Sequence, residues 1–597
     1  MQAGEHLMTF PRPAVVCNPV DVAYRFQEVH DGGPERAGRT VHREAADPSI
    51  VRFRDRFFLF ASMSGGFWHS TDLVSWEYRP TTKLPTFDYA PDVREVDGAL
   101  IVSASRAGDS PYFRSENPLE DDFIEISSGF PFWDPNVFQD QDSRTYFYWG
   151  CSNKEPIKGT EVDSVSFAPL GETVDLISAD ADRHGWEKSG EDYVVKAPTT
   201  ERERLIMEHV GSEPYIEGAW MTPHAGRYYL QYSAPGTEWN TYADGYYVGD
   251  TPLGPFTYSP HSPFSLKPGG FITGAGHGST FQDAHGNWWH AATQRISVNH
   301  SFERRIGIFP AGFDADGVLF SNQNFGDYPT VVPSGLVDPW KDTFAGWMLQ
   351  SFGATATASS SKTGHDPAST VNEDIRNWWV AGSAEPGEWL HLDLHSERTI
   401  HAIQVNLADD DLASIAPEPD VKQKFEYEQR GHFTGDQPTE FRVEVSIDGS
   451  SWTTVVDNDA DSIEAPHAFA ALEKAARARF VRLTGGRMPF GGPLAVSGLR
   501  IFGLGDGSTP APVTPVASRL DELTAKLDWD PSDGAQGYNV RYGIAPDKLY
   551  NSWLLYGQTS LHLPNLNAGH CYWVAVDPFN ENGITTGQAT PVDAASA

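Results

Sequence analysis

Five stretches of this sequence open on a small, acidic or histidine residue, then run through an apolar strand, a polar turn and an aromatic strand. They begin at Asp47 (DPSIVRFRDRFFLFAS), Ala90 (APDVREVDGALIVSAS), Asp134 (DPNVFQDQDSRTYFYWG), Glu217 (EGAWMTPHAGRYYLQYS) and His277 (HGSTFQDAHGNWWHAAT). Three of the openings are carboxylates and a fourth is an imidazole. Crowded carboxylates repel and raise one another's proton affinity, so three together are costly unless solvated or used. The chemistry that uses them is hydrolysis of a glycosidic bond. One protonated acid serves the leaving oxygen, one ionised carboxylate activates water, and a third can hold the acid and tune its proton affinity. Taken singly, Asp47-Pro48 and Asp134-Pro135 are ordinary turn sequences. The functional reading rests on their sharing one place in a repeat with Glu217.

The repeat also says what must position these groups. The openings are spaced 43, 44, 83 and 60 residues apart, and a supersecondary unit recurring at about 40–50 residues is the signature of propeller blades. The longer gaps imply insertions, mainly 151–216. Inner strands of a propeller line a central channel, so the five openings are expected around one ring. The predicted fold is all-β: a five-bladed β-propeller over residues 1–340 and two β-sandwich domains, 341–504 and 505–597. The middle domain is read from strand-like runs at 389–394, 441–446, 480–483 and 499–503, with an Asp448-Gly449 turn. The last is read from 527–529, 538–542 and 572–576, after a Gly/Ser/Thr/Pro stretch at 505–515. That stretch reads as a linker, so the terminal domain is expected to be dispensable for small substrates. Between Leu407 and Gln437 lies an insertion with Asp409-Asp410-Asp411, then Phe425-Glu426-Tyr427-Glu428 and His432-Phe433. Its acidic run reads first as a solvated loop, with docking against the propeller as the alternative.

A formal charge of −37 over 597 residues argues against nucleic acid or an anionic membrane as partner, since both call for basic patches. Three cysteines, Cys17, Cys151 and Cys571, give no zinc spacing and no disulfide framework. No apolar run is long enough to span a bilayer. The first residues, Met1 to His6, lack the basic and apolar regions of a leader. A secreted or periplasmic protein with its leader removed is expected ahead of a cytoplasmic one.

The motifs Ala46-Asp47-Pro48, Ser70-Thr71-Asp72-Leu73 with Trp76, Ala90-Pro91-Asp92-Val93, Trp133-Asp134-Pro135, Glu217-Gly218-Ala219 and Gly276-His277-Gly278-Ser279 together resemble glycoside hydrolase family 43 over roughly residues 18–330. The resemblance implies an inverting mechanism with Asp47 as general base, Asp134 as pKa modulator and orienter, and Glu217 as general acid. It puts His277 low in the channel, where the family often holds a calcium ion or water; no cofactor is required, and no metal ligands are assigned. Phe67, Trp68, Trp133, Trp220 and Trp239 are candidates for sugar stacking or blade packing, with Trp68 and Trp133 preferred as substrate-binding residues beside His277 and Arg295. The middle domain resembles the discoidin type of carbohydrate-binding sandwich, the last fibronectin type III. The implied function is an exo-acting inverting hydrolase of a polysaccharide or oligosaccharide that releases terminal furanosyl or pentosyl units, α-L-arabinofuranosyl first. β-D-galactofuranosidase and β-D-xylosidase activities fit the same scaffold. A catalytically silent sugar-binding propeller is the rival from another class, and the presence of all three carboxylates opposes it.

Overall fold

Each repeated stretch folds as the inner two strands of an antiparallel sheet. In this computed structural model, which describes residues 14–30, 38–84, 89–105, 110–127, 130–188, 204, 214–425, 428–458 and 464–593, five such sheets follow one another along the chain. The hexapeptide Met1–His6 and Glu426-Tyr427 of the insertion lie outside the described residues. The innermost strands, Ser49–Phe53, Tyr89–Val96, Asn136–Gln139, Glu217–His224 and Thr273–Gln282, contact one another in order and the last contacts the first, which closes a ring of five blades. Strand Ala14–Val16 pairs with Thr330–Val332 and ties the two ends of the propeller. The expected all-β, five-bladed architecture is what the chain adopts, and no helix is long and apolar enough to cross a membrane among the described residues.

The register explains the ring. Ser49, Asp92, Asn136, Trp220 and Ser279 pair across the first hairpin of their blades with Phe60, Ser103, Tyr148, Gln231 and Ala291. Two residues before the first set stand Asp47, Ala90, Asp134, Gly218 and His277, all left-handed, with φ between 47° and 64°. Two residues after the second set stand Ser62, Ser105, Gly150, Ser233 and Thr293. The four hydroxyls among them accept from the backbone N–H of the next blade's left-handed residue: Ala90 to Ser62 (2.7 Å), Asp134 to Ser105 (2.8 Å), His277 to Ser233 (2.7 Å) and Asp47 to Thr293 (2.7 Å). A left-handed non-glycine residue costs about 1–3 kcal/mol and persists where its surroundings fix it. These hydroxyls are that fixing, and they sew each blade to its neighbour.

One expectation is corrected by this register. Glu217 does not share the position of Asp47 and Asp134. It pairs with Ser233 as Tyr89 pairs with Ser105 and Gly276 with Thr293, one residue earlier, and Gly218 takes the left-handed place. A Cβ on Gly218 would lie 2.9 Å from the His277 ring. Glycine is needed there for both φ and space.

Beyond the propeller, residues 348–504 build an eight-stranded antiparallel sheet, and 516–591 build a three-stranded and a five-stranded sheet. Neither stands apart. The insertion's strands, Val421–Phe425 and Glu428–His432, pair with Arg25–His30, which pairs in turn with Arg39–Glu44 just ahead of the first blade. The acidic run is docked, against expectation: Asp409 is 2% exposed and takes hydrogen bonds from the Arg43 backbone N–H (2.9 Å) and guanidinium, with Arg305 at 3.5 Å. Asp409 thus helps to balance two buried cations, Arg43 just ahead of the first blade and Arg305 in the fifth. At the C-terminal unit, the Gly185 N–H reaches the Leu566 carbonyl at 2.9 Å, and Trp186, fully buried, shares a core with Trp553, Leu563 and Val574. The terminal unit therefore covers a blade rather than trailing from a linker.

Candidate active site

Asp47 is 5% exposed and every hydrogen-bonding arm around it favours the ionised form. Ser62 Oγ donates to Oδ2 at 2.6 Å, Thr293 Oγ1 to Oδ1 at 3.3 Å, and Arg304 to Oδ1 at 3.1 Å. His277 Nδ1 stands 3.6 Å from the same Oδ1. Burial works to raise the Asp47 pKa, but Arg304, His277, Ser62 and Thr293 overcome it and hold the carboxyl below its ordinary range.

Asp134 has the opposite balance. Burial pushes its carboxyl up to about 7; Glu217 and Asp47 add to the rise, while His277 and the 2.9 Å bond from Ser105 only partly oppose it. The imidazole of His277 sits 3.9 Å from Asp134 Oδ2, between the two aspartates. Burial lowers the His277 pKa, yet Asp47, Asp134 and Glu217 outweigh it and raise the group above its ordinary value. Glu217 is half-buried; Tyr242 Oη donates to Oε1 and the Cys151 thiol lies 3.3 Å from Oε2. Ligating atoms of Asp134, Cys151 and Glu217 all lie within 4.8 Å of one another. Burial, with Asp134 and Glu217, raises the Cys151 pKa far above that of a free thiol, so the sulfur is neutral and a donor.

The structure thus brings Asp47, Asp134, Glu217 and His277 into one cluster. Trp133, half-buried, adjoins Asp134. Other expected contacts are corrected. Trp68 is wholly buried, with its ring 5.4 Å from that of Tyr78, so it presents no face to a sugar. Phe67, Trp220 and Trp239 are 5% exposed or less, in line with the packing alternative for these three. The guanidinium on the Asp47 carboxylate belongs to Arg304, the cross-strand partner of Arg295. Arg295 itself donates to Thr273 Oγ1 (3.1 Å) and to the Glu238 carbonyl (3.0 Å), where it braces the wall beside Glu217. Sequence reasoning missed Arg304, Ser62, Thr293, Tyr242 and Cys151. The hydroxyls carried a signal, since each lies at a fixed offset from the end of a repeated strand.

Calcium takes 6–8 oxygen ligands, waters included, and among the described residues the candidate ligand set is two carboxylates and a thiol, so protein groups alone do not complete a calcium shell here. The channel group His277 offers nitrogen, and Asp47's oxygens are already held by Ser62, Thr293 and Arg304. Proton transfer by carboxylates is what the arrangement can do.

Residues 40–319 match the family described as Glycosyl hydrolases family 43, and residues 419–492 match the F5/8 type C domain. The beta-D-galactofuranosidase xynD of Aspergillus niger is 25% identical over 274 residues, covering 40% of this chain and 69% of that protein. Xylosidase/arabinosidase 43A of Humicola insolens is 26% identical over 261 residues, 39% of this chain and 75% of that protein. A solved chain described as a glycoside hydrolase covers 77% of this one and 97% of itself at 16% identity, with a TM-score of 0.43. All three clustered carboxylates fall inside the stretch that matches glycosyl hydrolases family 43, and the protein is a glycosidase acting on O-glycosyl bonds.

Proposed function

We propose that the protein is an exo-acting, inverting glycosidase that releases terminal furanosyl or pentosyl units, α-L-arabinofuranosyl first among them, from an oligosaccharide or polysaccharide. The observation that carries the reading is the opposed treatment of the carboxylates. Asp47 is held ionised by four partners, while Glu217 is gripped by Tyr242 and Cys151 beside a proton-retaining Asp134. Asp47 takes a proton from water as the water oxygen attacks the anomeric carbon. The glycosidic C–O bond breaks, and Glu217 gives its proton to the leaving oxygen. Asp134 lies within 4.8 Å of Glu217 and reaches Asp47 through His277, which suits a group that orients the acid. Trp133, next to Asp134, is the aromatic platform for the sugar.

The chain divides in this reading at about 340 and 505. The discoidin-like unit and the fibronectin type III-like unit both brace the propeller. A galactofuranosidase is the second reading, favoured by the likeness to the beta-D-galactofuranosidase xynD of Aspergillus niger. A panel of nitrophenyl α-L-arabinofuranoside, β-D-galactofuranoside and β-D-xyloside separates the two. Glu217→Gln tests the acid directly. It is expected to cut turnover of poor leaving groups by about 10²–10⁴-fold, and far less for activated aryl glycosides. An equal loss on both substrate types removes Glu217 from that role.

A further inference from the structure

The insertion in the second unit reaches the propeller's reaction chemistry through a chain of buried ions. Strand Glu428–His432 lies against Arg25–His30, with Arg430 opposite Val29. Arg430 is 1% exposed, and its guanidinium donates to Gln27 Oε1 at 2.8 Å and stands 3.8 Å from Glu44 Oε2. Gln27 in turn donates to that same Oε2. The other Glu44 oxygen is taken by Arg304, at 2.6 and 3.1 Å from two nitrogens, and a third Arg304 nitrogen holds Asp47 Oδ1 at 3.1 Å. The order is therefore Arg430, Glu44, Arg304, Asp47, each side chain 5% exposed or less.

The aromatic lining binds the same parts. The Arg430 guanidinium lies 5.1 Å from the Tyr89 ring centroid, and Arg304 lies 4.8 Å from that of Phe302 and 5.7 Å from that of Tyr89. Tyr89 is the blade-two residue in register with Glu217. The second unit thus touches the wall of the channel as well as its charges.

Relying on the assignment of Asp47 as the base, we propose that Arg430 is a positioning residue supplied by the discoidin-like unit, which satisfies Glu44 so that Arg304 stays turned toward the Asp47 carboxylate. Glu44 bears on one guanidinium from each side. Remove the outer one, and Glu44 and Asp47 compete for Arg304 alone, while a buried carboxylate left half-paired is strongly unfavourable. The charged groups facing Asp47 are Arg304, His277, and, one step out, Glu44 and Asp134. Those facing Glu44 are Arg304, Arg430, Asp47 and His42, at 4.0 Å, which burial and the surrounding cations keep neutral. Burial raises the Glu44 pKa, and Arg304 and Arg430 oppose that rise. While Glu44 stays ionised, loss of the outer cation leaves it drawing on Arg304 alone, so Asp47 takes its proton at higher pH.

The test uses the full chain and the pH dependence of kcat/KM on an aryl glycoside. Arg430→Gln keeps a donor for Gln27 but drops the charge; Arg430→Lys keeps the charge. The acid limb is expected to move up by about one pH unit in Arg430→Gln, the low end for a charge lost near a carboxylate, and to stay near the parent's in Arg430→Lys. A purely structural role moves both or neither, and either result overturns the proposal. Should Arg430→Gln not fold, the double variant with Glu44→Gln leaves no orphaned charge, and its limb must lie at or below the parent's; a raised limb overturns the proposal. Asp47→Asn separates the two claims. If it stays active, the base assignment falls; if it is inactive while the Arg430 variants match the parent, only the positioning claim falls.

Discussion

Ser62→Ala removes one oxygen and tests how Asp47 is kept ionised in a buried channel. The hydroxyl donates to Asp47 Oδ2 at 2.6 Å and accepts from the Ala90 N–H at 2.7 Å, so two bonds are lost. A hydrogen bond to a charged group contributes about 1.5–3 kcal/mol, and one pKa unit corresponds to about 1.36 kcal/mol. The lost donor had favoured the carboxylate, so the Asp47 pKa rises by about one to two units. The acid limb of kcat/KM, which reports the base, should move to higher pH by that amount. Stability follows the same sign. A carboxyl held below its unfolded value adds stability that is present above the unfolded pKa and lost as pH falls through the folded one. The variant should therefore lose part of that stability at neutral pH, plus about 1–3 kcal/mol for the unsatisfied Ala90 N–H. Ser105→Ala is the internal control, because it makes the same cut beside Asp134, at 2.9 and 2.8 Å. Rate profiles on an aryl glycoside and urea unfolding of both variants decide the matter. A folded Ser62→Ala enzyme with an unmoved acid limb, or a limb moved equally by Ser105→Ala, refutes the reasoning.

Two other outcomes are expected. Asp134, whose folded pKa of about 7 exceeds its ordinary 3.8, binds its proton more tightly in the native state, so its stabilising balance is lost as pH rises from about 4 through 7. Asp134→Asn should therefore melt higher than the parent by a margin that grows between pH 5 and pH 8, while losing activity; a margin independent of pH contradicts the burial argument. A chain ended at residue 504 uncovers Trp186 and the apolar residues it shares with Trp553, Leu563 and Val574. At about 1.5–3 kcal/mol for each large apolar side chain, uncovering Trp186 alone loses about 1.5–3 kcal/mol of stability, and an unchanged urea midpoint would speak against docking.

The blade repeat was legible because its signal is local: apolar alternation, turns and Asp-Pro openings recur within about 16 residues of one another. The three carboxylates were legible for the same reason. The offset of Glu217 was not, although Gly218 carried the clue, since a left-handed position crowded by His277 calls for glycine. Trp68 misled because an aromatic in a blade's third strand reads the same whether it faces the channel or the neighbouring sheet; its burial against Tyr78 is a tertiary fact. Arg304 and Arg295 are cross-strand partners, and residue type alone does not show that Arg304 reaches Asp47 while Arg295 reaches Thr273 and the Glu238 carbonyl. The docked Asp409 finds Arg43, 366 residues away, and pairing at that range leaves no mark in a local charge pattern. The ordered 505–515 stretch similarly bonds forward, with Gly505 N–H on the Glu581 carbonyl at 3.1 Å.

The central claim is that Asp47 activates water rather than attacking the sugar, and the anomeric configuration of the first product tests it most directly. Asp47 and Glu217 come from the first and fourth blades, with His277 and Asp134 between them. An inverting pair stands roughly 6.5–9.5 Å apart to leave room for a water, against about 5–5.5 Å for a nucleophile, and carboxylates from non-adjacent blades suit the wider spacing. Proton NMR of the released sugar, recorded before mutarotation on the preferred nitrophenyl glycoside, should show the inverted anomer as the first-formed product. A retained anomer would contradict the account and take from Asp47 the role of base.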